Sequence, residues 1–391
     1  MTSSRIYFDN AATSFPKPEQ VYAAVEQYQR ELGVAVGRGS SRAALEVQRR
    51  VEQCRGSAAR LLGARSPAEV LFYFNGTDAL NAVLHGWLRP GDRIITSPWE
   101  HNSVLRPLTT LARRGVETVF LSPTADGRID VAELEQLLRQ HPTRLVALSH
   151  ASNVTGVIQP IAAATAAAKA AGTPILIDAA QTAGHLPLSF GELGIDFLAC
   201  SGHKGLLGPL GTGLLLVREE LQPELQPYRQ GGTGTHSELE DLASGGPDRF
   251  EAGNHNAPGL FGLGAALEWL EHKTLTARHT AEQELLGLLL TGLASLPRIE
   301  LFPALETSAF GHRIGVVSLR LERIEPHVLA TLLDEHFGIE TRAGLHCAPR
   351  AHLALGTLNS GGTLRLSPGA FNTAAQIDET LQALGQIAVS V

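Results

Sequence analysis

In Phe197-Leu198-Ala199-Cys200-Ser201-Gly202-His203-Lys204-Gly205, an apolar run typical of a buried strand passes directly into a small-residue turn that carries a lysine. A second apolar run, Pro174-Ile175-Leu176-Ile177, ends in Asp178 in the same way. Lys204 stands out because the chain of 391 residues has only three other lysines, for which we expect solvated surface positions. These are Lys17, Lys169 and Lys273.

Similar apolar runs alternate with helical patterns over the first two-thirds of the chain. Continuous apolar strands that alternate with helices predict an α/β fold with a mostly parallel sheet covered by helices on both faces. In such sheets the ligand crevice lies beyond the carboxyl ends of the strands. Five polar residues closely follow predicted strands, so we expect them in that crevice. They are Thr77, His101, Asn153, Asp178 and Lys204.

The last third of the chain has a different pattern. Residues 259–296 are strongly helical, and a strand over 315–321, a helix over 325–337 and a final helix from Ala375 follow. This mixture predicts a smaller α+β domain. We therefore expect a large domain over residues 17–270 and a small domain formed by residues 1–16 and 271–391. The Gly-, Ser-, Thr- and Asn-rich segment 230–258 indicates a long ordered loop or a partner-facing insertion.

Composition excludes several classes of protein. The net charge is -7 and no basic stripe is present, so we expect no nucleic-acid partner. No apolar run reaches membrane-spanning length, and the segment 1–6 lacks the apolar region of a signal peptide. Three cysteines without a Cys-x-x-Cys spacing favour a reducing cytoplasm and argue against disulfides or a metal site.

Lys204 and Asp178 together predict a pyridoxal phosphate (PLP) site. A lysine can form a Schiff base with the cofactor aldehyde, and a carboxylate can keep the pyridine nitrogen protonated, so that the ring acts as an electron sink. The phosphate needs backbone N–H groups at a helix N-terminus together with side-chain donors. Gly76-Thr77 could supply the backbone N–H groups, or could form a simple turn and N-cap. Ser201 and His203 could supply the side-chain donors.

Two further residues have both a functional and a structural interpretation. His101 could stack on the pyridine ring and transfer a proton, or be an ordinary loop histidine. Gln181 could hydrogen-bond the phenolic oxygen of the cofactor, or lie on a helix surface.

Cys347 and Arg365 are the candidates on the C-terminal side. Cys347 lies in a predicted loop, Thr341–Pro349, where His346 and Arg342 would favour its thiolate, although free cysteines are often buried and inert. Arg365 occupies a strand-like run. It could clamp a substrate carboxylate or form an internal salt bridge.

These residues together resemble the class V aminotransferase family of fold-type I PLP enzymes, and within it the type II cysteine desulfurases and selenocysteine lyases. The resemblance spans nearly the whole chain. The segments that carry it are Phe8–Thr13, Arg38-Gly39, Gly76–Asn81, Glu100–Asn102, Ser152–Gly156, Asp178–Gln181, Ser201–Lys204 and Arg342–Cys347.

The resemblance implies roles for single residues. Lys204 would form the Schiff base, Asp178 would contact the ring nitrogen, Gln181 the phenolic oxygen, and His101 the ring face. Gly76, Thr77, Ser201 and His203 would hold the phosphate, and Asn153, Arg342 and Arg365 would bind the substrate. Asn254 stands where the family usually has a threonine that reaches the phosphate in the neighbouring subunit, and Leu345 stands where type II desulfurases usually have a histidine.

The implied reaction converts L-cysteine to L-alanine and leaves a persulfide on Cys347, whose sulfur an acceptor protein or a reductant removes. A homodimer is also implied, with Arg38 and the loop 230–254 as candidates for crossing into the partner. Selenocysteine lyase, another C–S lyase and an aminotransferase remain alternatives with the same cofactor. A non-catalytic PLP-fold regulator is the alternative from another class, although the family pattern begins near residue 6 and leaves no room for a DNA-binding segment before it.

Overall fold

The computed structural model describes residues 5–37, 39–233, 246–304 and 312–390. Within this part of the chain the largest sheet has seven strands in the spatial order β2-β8-β7-β6-β5-β3-β4. Six run in one direction and β8 runs antiparallel to both of its neighbours, so the predicted mostly parallel sheet is confirmed. The strands are β2 (Val70–Tyr73), β3 (Arg93–Thr96), β4 (Glu117–Phe120), β5 (Leu145–Ser149), β6 (Ile175–Asp178), β7 (Phe197–Ser201) and β8 (Gly213–Val217).

Successive residues of the central strands enter different cores, as the twofold periodicity of a strand requires. In β7, Leu198 and Cys200 pack into the core on one face of the sheet, and Phe197 and Ala199 pack into the core on the other. Both faces are therefore covered. No helix of the described residues is long and apolar enough to cross a membrane. The helices of this part are α1 (Glu19–Gln27), α2 (Arg42–Leu62), α3 (Gly76–Trp87), α4 (Asn102–Ala112), α5 (Val131–Gln140), α6 (Ile161–Ala170), α7 (Phe190–Leu193), α8 (Pro247–Phe250) and α9 (Ala257–Lys273).

A second sheet, with four antiparallel strands in the order β12-β13-β10-β9, lies in the C-terminal third. Ile6 and Phe8 near the N-terminus pack into the same core as this sheet, and β1 pairs with β11. The division at residues 16 and 270 stays a prediction. The elements are β1 (Ile6–Tyr7), α10 (Leu275–Ser295), β9 (Ile299–Phe302), β10 (Val317–Leu321), α11 (Pro326–Phe337), β11 (Ile339–Glu340), β12 (Arg342–Gly344), α12 (Pro349–Ala354), β13 (Thr363–Leu366) and α13 (Ala374–Ser390).

Two local predictions differ from the structure. The helix predicted over 259–296 is two helices, which break at Thr274. The φ of Thr274 is 47°, an angle that a right-handed helix does not accommodate. The break lets α9 pack on α1 and α2 while α10 packs on α13. The loop predicted over Thr341–Pro349 begins as strand β12, because Arg342 pairs with Arg365 in β13. Both differences come from contacts between segments that are distant in sequence.

One buried ion pair ties α2 to the segment that precedes α9. The Arg55 guanidinium donates to Glu251 through Nη1 at 2.7 Å and Nη2 at 3.0 Å, and both side chains are only 4% exposed. Glu251 also accepts the Phe72 backbone N–H at 2.7 Å, and Arg55 donates to the Val70 carbonyl at 2.7 Å. The pair therefore binds the backbone of strand β2 at two points on one edge, the edge that β8 does not occupy.

Replacing Glu251 with alanine should lower the free energy of unfolding by about 3–5 kcal/mol, because the buried charge of Arg55 would lose its buried partner and keep only the exposed Glu52. Chemical denaturation measures the change. Glu26, which pairs with Arg30 on the exposed surface of α1, is the matched control, and Glu26→Ala should leave the unfolding midpoint in place. Equal effects of the two substitutions would contradict this account.

Candidate active site

A cavity of about 240 Å³ lies at the carboxyl ends of the parallel strands. All five residues expected there from their positions after strands line it, namely Thr77, His101, Asn153, Asp178 and Lys204. Further residues from the sequence analysis also line it: Gly76, Gln181, Ser201, His203, Arg342 and Arg365. Cys347 and Asn254 do not.

Lys204 and Asp178 are brought together by the register of neighbouring strands. Asp178 at the end of β6 pairs with Ala199 in β7, and Lys204 lies in the turn that follows β7. Burial lowers the pKa of Lys204 to about 8, and Asp178 partly opposes this change. Burial likewise raises the pKa of Asp178, which the Ala180 backbone N–H and Lys204 oppose. The lysine is therefore an amine that loses its proton more easily than an exposed one.

The N-terminus of α3 forms one corner of the cavity together with the turn after β7. A Cβ atom at Gly76 would lie 2.6 Å from the Ser201 hydroxyl, so only glycine allows this approach. Thr77 Oγ1 lies 2.6 Å from Ser103 Oγ, and His203 Nδ1 is buried without a hydrogen-bond partner among the described residues. Backbone N–H groups of a helix start, hydroxyls and an unsatisfied imidazole are the donor set that an anion requires.

His101 is held in one orientation and stays neutral. Its Nδ1 accepts the Ser103 backbone N–H at 3.1 Å, so the neutral ring carries its proton on Nε2. Burial, with Lys204 and Arg342 as further causes, lowers the pKa of His101 to about 4.

Glu100 supports this segment, and its role was missed in the sequence, where only its position next to His101 singled it out. It is fully buried and accepts hydrogen bonds from the Ser97 hydroxyl, the Ser149 backbone and the Ser149 hydroxyl, at 2.6 to 3.0 Å. Burial raises its pKa to about 7 despite these bonds. Glu100 therefore ties the ends of β3 and β5 together beneath the cavity.

Arg365 forms the internal salt bridge that the sequence allowed and also lines the cavity. Its Nη2 pairs with Asp9, which is the internal salt bridge, and its Nη1 donates to the Asn153 carbonyl at 3.0 Å. The side chain still lines the cavity, and its Nε has no partner among the described residues. A guanidinium held in this way is pre-oriented toward the cavity.

Gln181 lines the cavity, but one of its amide N–H groups already donates a hydrogen bond to the N-terminal segment. Its Nε2 donates to the Ala11 carbonyl at 3.0 Å, which connects the N-terminal segment to the turn after β6. The amide group has a second N–H and a carbonyl oxygen for other contacts. Gln181 is buried, so it does not lie on a helix surface.

Cys347 lies in a strained turn beside the cavity. His346 and Cys347 have φ angles of 47° and 57°, which non-glycine residues rarely adopt. Two hydrogen bonds hold the turn: Asn153 Nδ2 donates to the His346 carbonyl at 2.6 Å, and the Asn102 backbone N–H donates to the Cys347 carbonyl at 2.7 Å. Arg342 Nη2 lies 3.7 Å from Cys347 Sγ. The thiol is thus half-buried beside a cation.

Asn254 is exposed and lines a separate cavity of about 90 Å³, together with Arg229 and Phe74. Its predicted contact with a neighbouring subunit stays a prediction. Arg38 and much of the loop 230–254 lie outside the described residues.

Lys17 is not the exposed surface lysine that the sequence suggested. Its ammonium donates to the Ser14 hydroxyl at 2.7 Å and to the His203 carbonyl at 2.9 Å. Ser14 Oγ in turn donates to the Lys204 carbonyl at 2.9 Å. Burial lowers the pKa of Lys17 to about 8. The N-terminal segment therefore fastens the backbone of the turn that carries Lys204, an interaction between residues that lie far apart in sequence.

The fold and the cavity define an α/β protein with a half-buried lysine and a buried aspartate near the strand ends, and comparisons with known proteins agree. The family model for aminotransferase class-V matches residues 6–380. A probable cysteine desulfurase of Methanothermobacter thermautotrophicus is 32% identical over 98% of this chain and 94% of its own length. A cysteine desulfurase of Escherichia coli is 34% identical over 97% of this chain and 93% of its own length.

A solved structure gives the same result. The apo cysteine desulfurase of Thermococcus onnurineus NA1 superposes with a TM-score of 0.91 at 32% identity, covering 99% of this chain and 95% of the other. The chain belongs to the class V aminotransferase family.

Replacing Lys17 with methionine should lower the free energy of unfolding by about 1.5–3 kcal/mol, because two hydrogen bonds from a charged donor are lost. Thermal or chemical denaturation of the purified variant checks this. Lys169→Met on the exposed side of α6 is the control and should behave like the parent protein. An unchanged midpoint for Lys17→Met would show that the contacts to Ser14 and His203 contribute nothing.

Proposed function

We propose that the cavity binds PLP and that the chain is a cysteine desulfurase, which converts L-cysteine to L-alanine and carries the removed sulfur on Cys347. The observation that carries the proposal is the half-buried Lys204, with its lowered pKa, together with the buried Asp178 in a cavity that Cys347 flanks. The similarity to proteins named cysteine desulfurases over nearly the whole chain supports the same activity.

The residues present fit this cofactor. Asp178 would accept a hydrogen bond from the ring nitrogen, and the cationic ring would compensate a carboxylate that is otherwise costly to bury. The phosphate would take the corner at Gly76, Thr77, Ser201 and His203, where the unsatisfied His203 Nδ1 would gain a partner. Bound PLP would supply an electron sink for the substrate carbon next to the amino group.

Side chains of the cavity would transfer the α-proton of the substrate and orient its carboxylate. Lys204, as a neutral amine, would accept and return the α-proton of the substrate, since its lowered pKa lies near the working range of a general base. Arg365 would orient the substrate carboxylate from its fixed position between Asp9 and Asn153. His101, with its proton on Nε2, would offer that N–H to the cavity.

Cys347 would act as the nucleophile toward the substrate sulfur. Its thiolate would attack that sulfur, so that a new S–S bond forms while the carbon–sulfur bond breaks and its electron pair goes to the substrate carbon. Protonation of that carbon yields alanine, and Cys347 keeps the sulfur as a persulfide. Arg342 Nη2, 3.7 Å from Sγ, places a positive charge beside the attacking sulfur.

We also infer a homodimer, a sulfur acceptor and a cytoplasmic location. The exposed Asn254 beside its own small cavity supports a contact with a second copy, as do the exposed aromatic Phe74 and the exposed Leu210. Three free cysteines among the described residues support a reducing compartment. A persulfide on Cys347 must be discharged before the next turnover, which requires an acceptor thiol.

The rate at which apo protein takes up PLP should rise as the pH increases through about 8 and level off above it, because only the neutral Lys204 amine attacks the aldehyde. Stopped-flow absorbance of the bound cofactor measures this rate. Lys204→Ala should bind no cofactor covalently. A rate that keeps rising up to pH 10.5, the ordinary pKa of an exposed lysine, would contradict the lowered pKa of Lys204.

The desulfurase proposal is tested by product analysis of Cys347→Ala with L-cysteine, L-selenocysteine and cysteine sulfinate, with and without dithiothreitol. With L-cysteine the variant should form alanine only at a background rate, because the substrate sulfur lacks its acceptor. It should still process cysteine sulfinate, whose sulfur leaves without a nucleophile. Full-rate sulfide release from L-cysteine without a reductant would favour another C–S lyase. Amino-group transfer to a keto acid would favour an aminotransferase.

A further inference from the structure

A second concavity adjoins the cavity on the side of α4. It is an open groove of about 390 Å³ that shares Thr77, His101 and Ser103 with the cavity. Cys347 lines this groove and does not line the cavity. The thiol therefore stands between the substrate space and an opening toward solvent.

The groove has a positive character among the described residues. Arg106 on α4 lines it and is exposed, and its guanidinium makes no hydrogen bond or ion pair with any other described residue. Arg342, which lines the cavity and not the groove, has its Nη2 3.7 Å from Cys347 Sγ. No described aspartate or glutamate lines the groove. The charge of Arg106 also reaches the site, where it contributes to the lowered pKa of His101.

The size of the groove suits a small ligand. Its volume of about 390 Å³ falls within the range of small-ligand sites. A free exposed arginine beside a sulfur-carrying cysteine matches a small molecule that bears a thiol and a carboxylate.

We propose, building on the proposed desulfurase function, that this groove binds the small carboxylate-bearing thiol that removes sulfur from Cys347, and that Arg106 selects it by its negative charge. The acceptor thiolate attacks the outer sulfur of the persulfide. A new S–S bond forms on the acceptor, the bond between Cys347 Sγ and the outer sulfur breaks, and Cys347 leaves as a thiolate beside Arg342. The acceptor departs as a persulfide, and no further oxidant or reductant is consumed.

The test separates sulfur loading from sulfur removal. Holoenzyme is given one equivalent of L-cysteine, alanine is quantified, and the gain of one sulfur atom on Cys347 is verified by intact mass. After gel filtration, the loaded protein receives 3-mercaptopropionate, 2-mercaptoethanol or cysteamine, which are anionic, neutral and cationic. Half-saturating concentrations are expressed as thiolate, so that the ionised fraction of each thiol does not enter. They are compared apart from the maximal rates, because the nucleophilicity of a thiolate also depends on its pKa.

The anionic thiol should discharge the persulfide at a half-saturating concentration about two- to fivefold below that of the neutral thiol, the range expected of one exposed ion pair. Arg106→Gln should abolish this preference, Arg106→Lys should largely keep it, and added salt should weaken it. Arg113→Gln, just beyond the end of α4 and outside the groove, should behave like the parent protein.

Each outcome bears on one of the two proposals. If no sulfur is loaded on Cys347, the desulfurase function fails. If sulfur is loaded but all three thiols discharge it alike, or the preference survives in Arg106→Gln, the groove is not the selective site. Discharge only by an added acceptor protein would likewise overturn the small-thiol proposal.

Discussion

Asp178 places a carboxyl group in the protein interior, where a charge without compensation is costly. The carboxyl ends of β6 and β7 meet at one edge of the sheet, so the Lys204 turn is brought into the same buried space. Each group shifts the pKa of the other toward its charged form, and burial outweighs this effect for both. The cavity is therefore prepared for a ligand that carries positive charge toward Asp178 and an electrophile toward Lys204.

Much of this site could be predicted from the sequence because it follows from strand positions. Thr77, His101 and Asn153 each follow a buried strand, and parallel strands must present their carboxyl ends together. Contacts between distant segments could not be predicted in this way. The sequence predicts a surface position for Lys17, which lies between two prolines, but its ammonium donates a hydrogen bond to the His203 carbonyl. Nothing in the sequence indicates that Arg365 pairs with Asp9. The break at Thr274 likewise depends on which core each helix joins.

The Cys347 turn connects the two chemical halves of the proposed reaction. Asn153, which follows β5, donates a hydrogen bond to the His346 carbonyl, and the backbone N–H at the start of α4 donates to the Cys347 carbonyl. These two bonds, both from segments that follow strands of the large sheet, stabilise the two residues with left-handed backbone angles. Cys347 consequently lines the groove. Arg342 lines the cavity and also contacts the Cys347 thiol. Under the proposed function, sulfur would be received on one side of this turn and released on the other.

The proposed PLP site is tested by identifying the lysine that binds the cofactor. Purified protein supplied with PLP is reduced with borohydride, digested, and its peptides are mapped by mass spectrometry. We expect a phosphopyridoxyl group on Lys204 alone, even though Lys17 is also a half-buried amine with a lowered pKa nearby. A label on Lys17 in place of Lys204, or no covalent label at all, would contradict it.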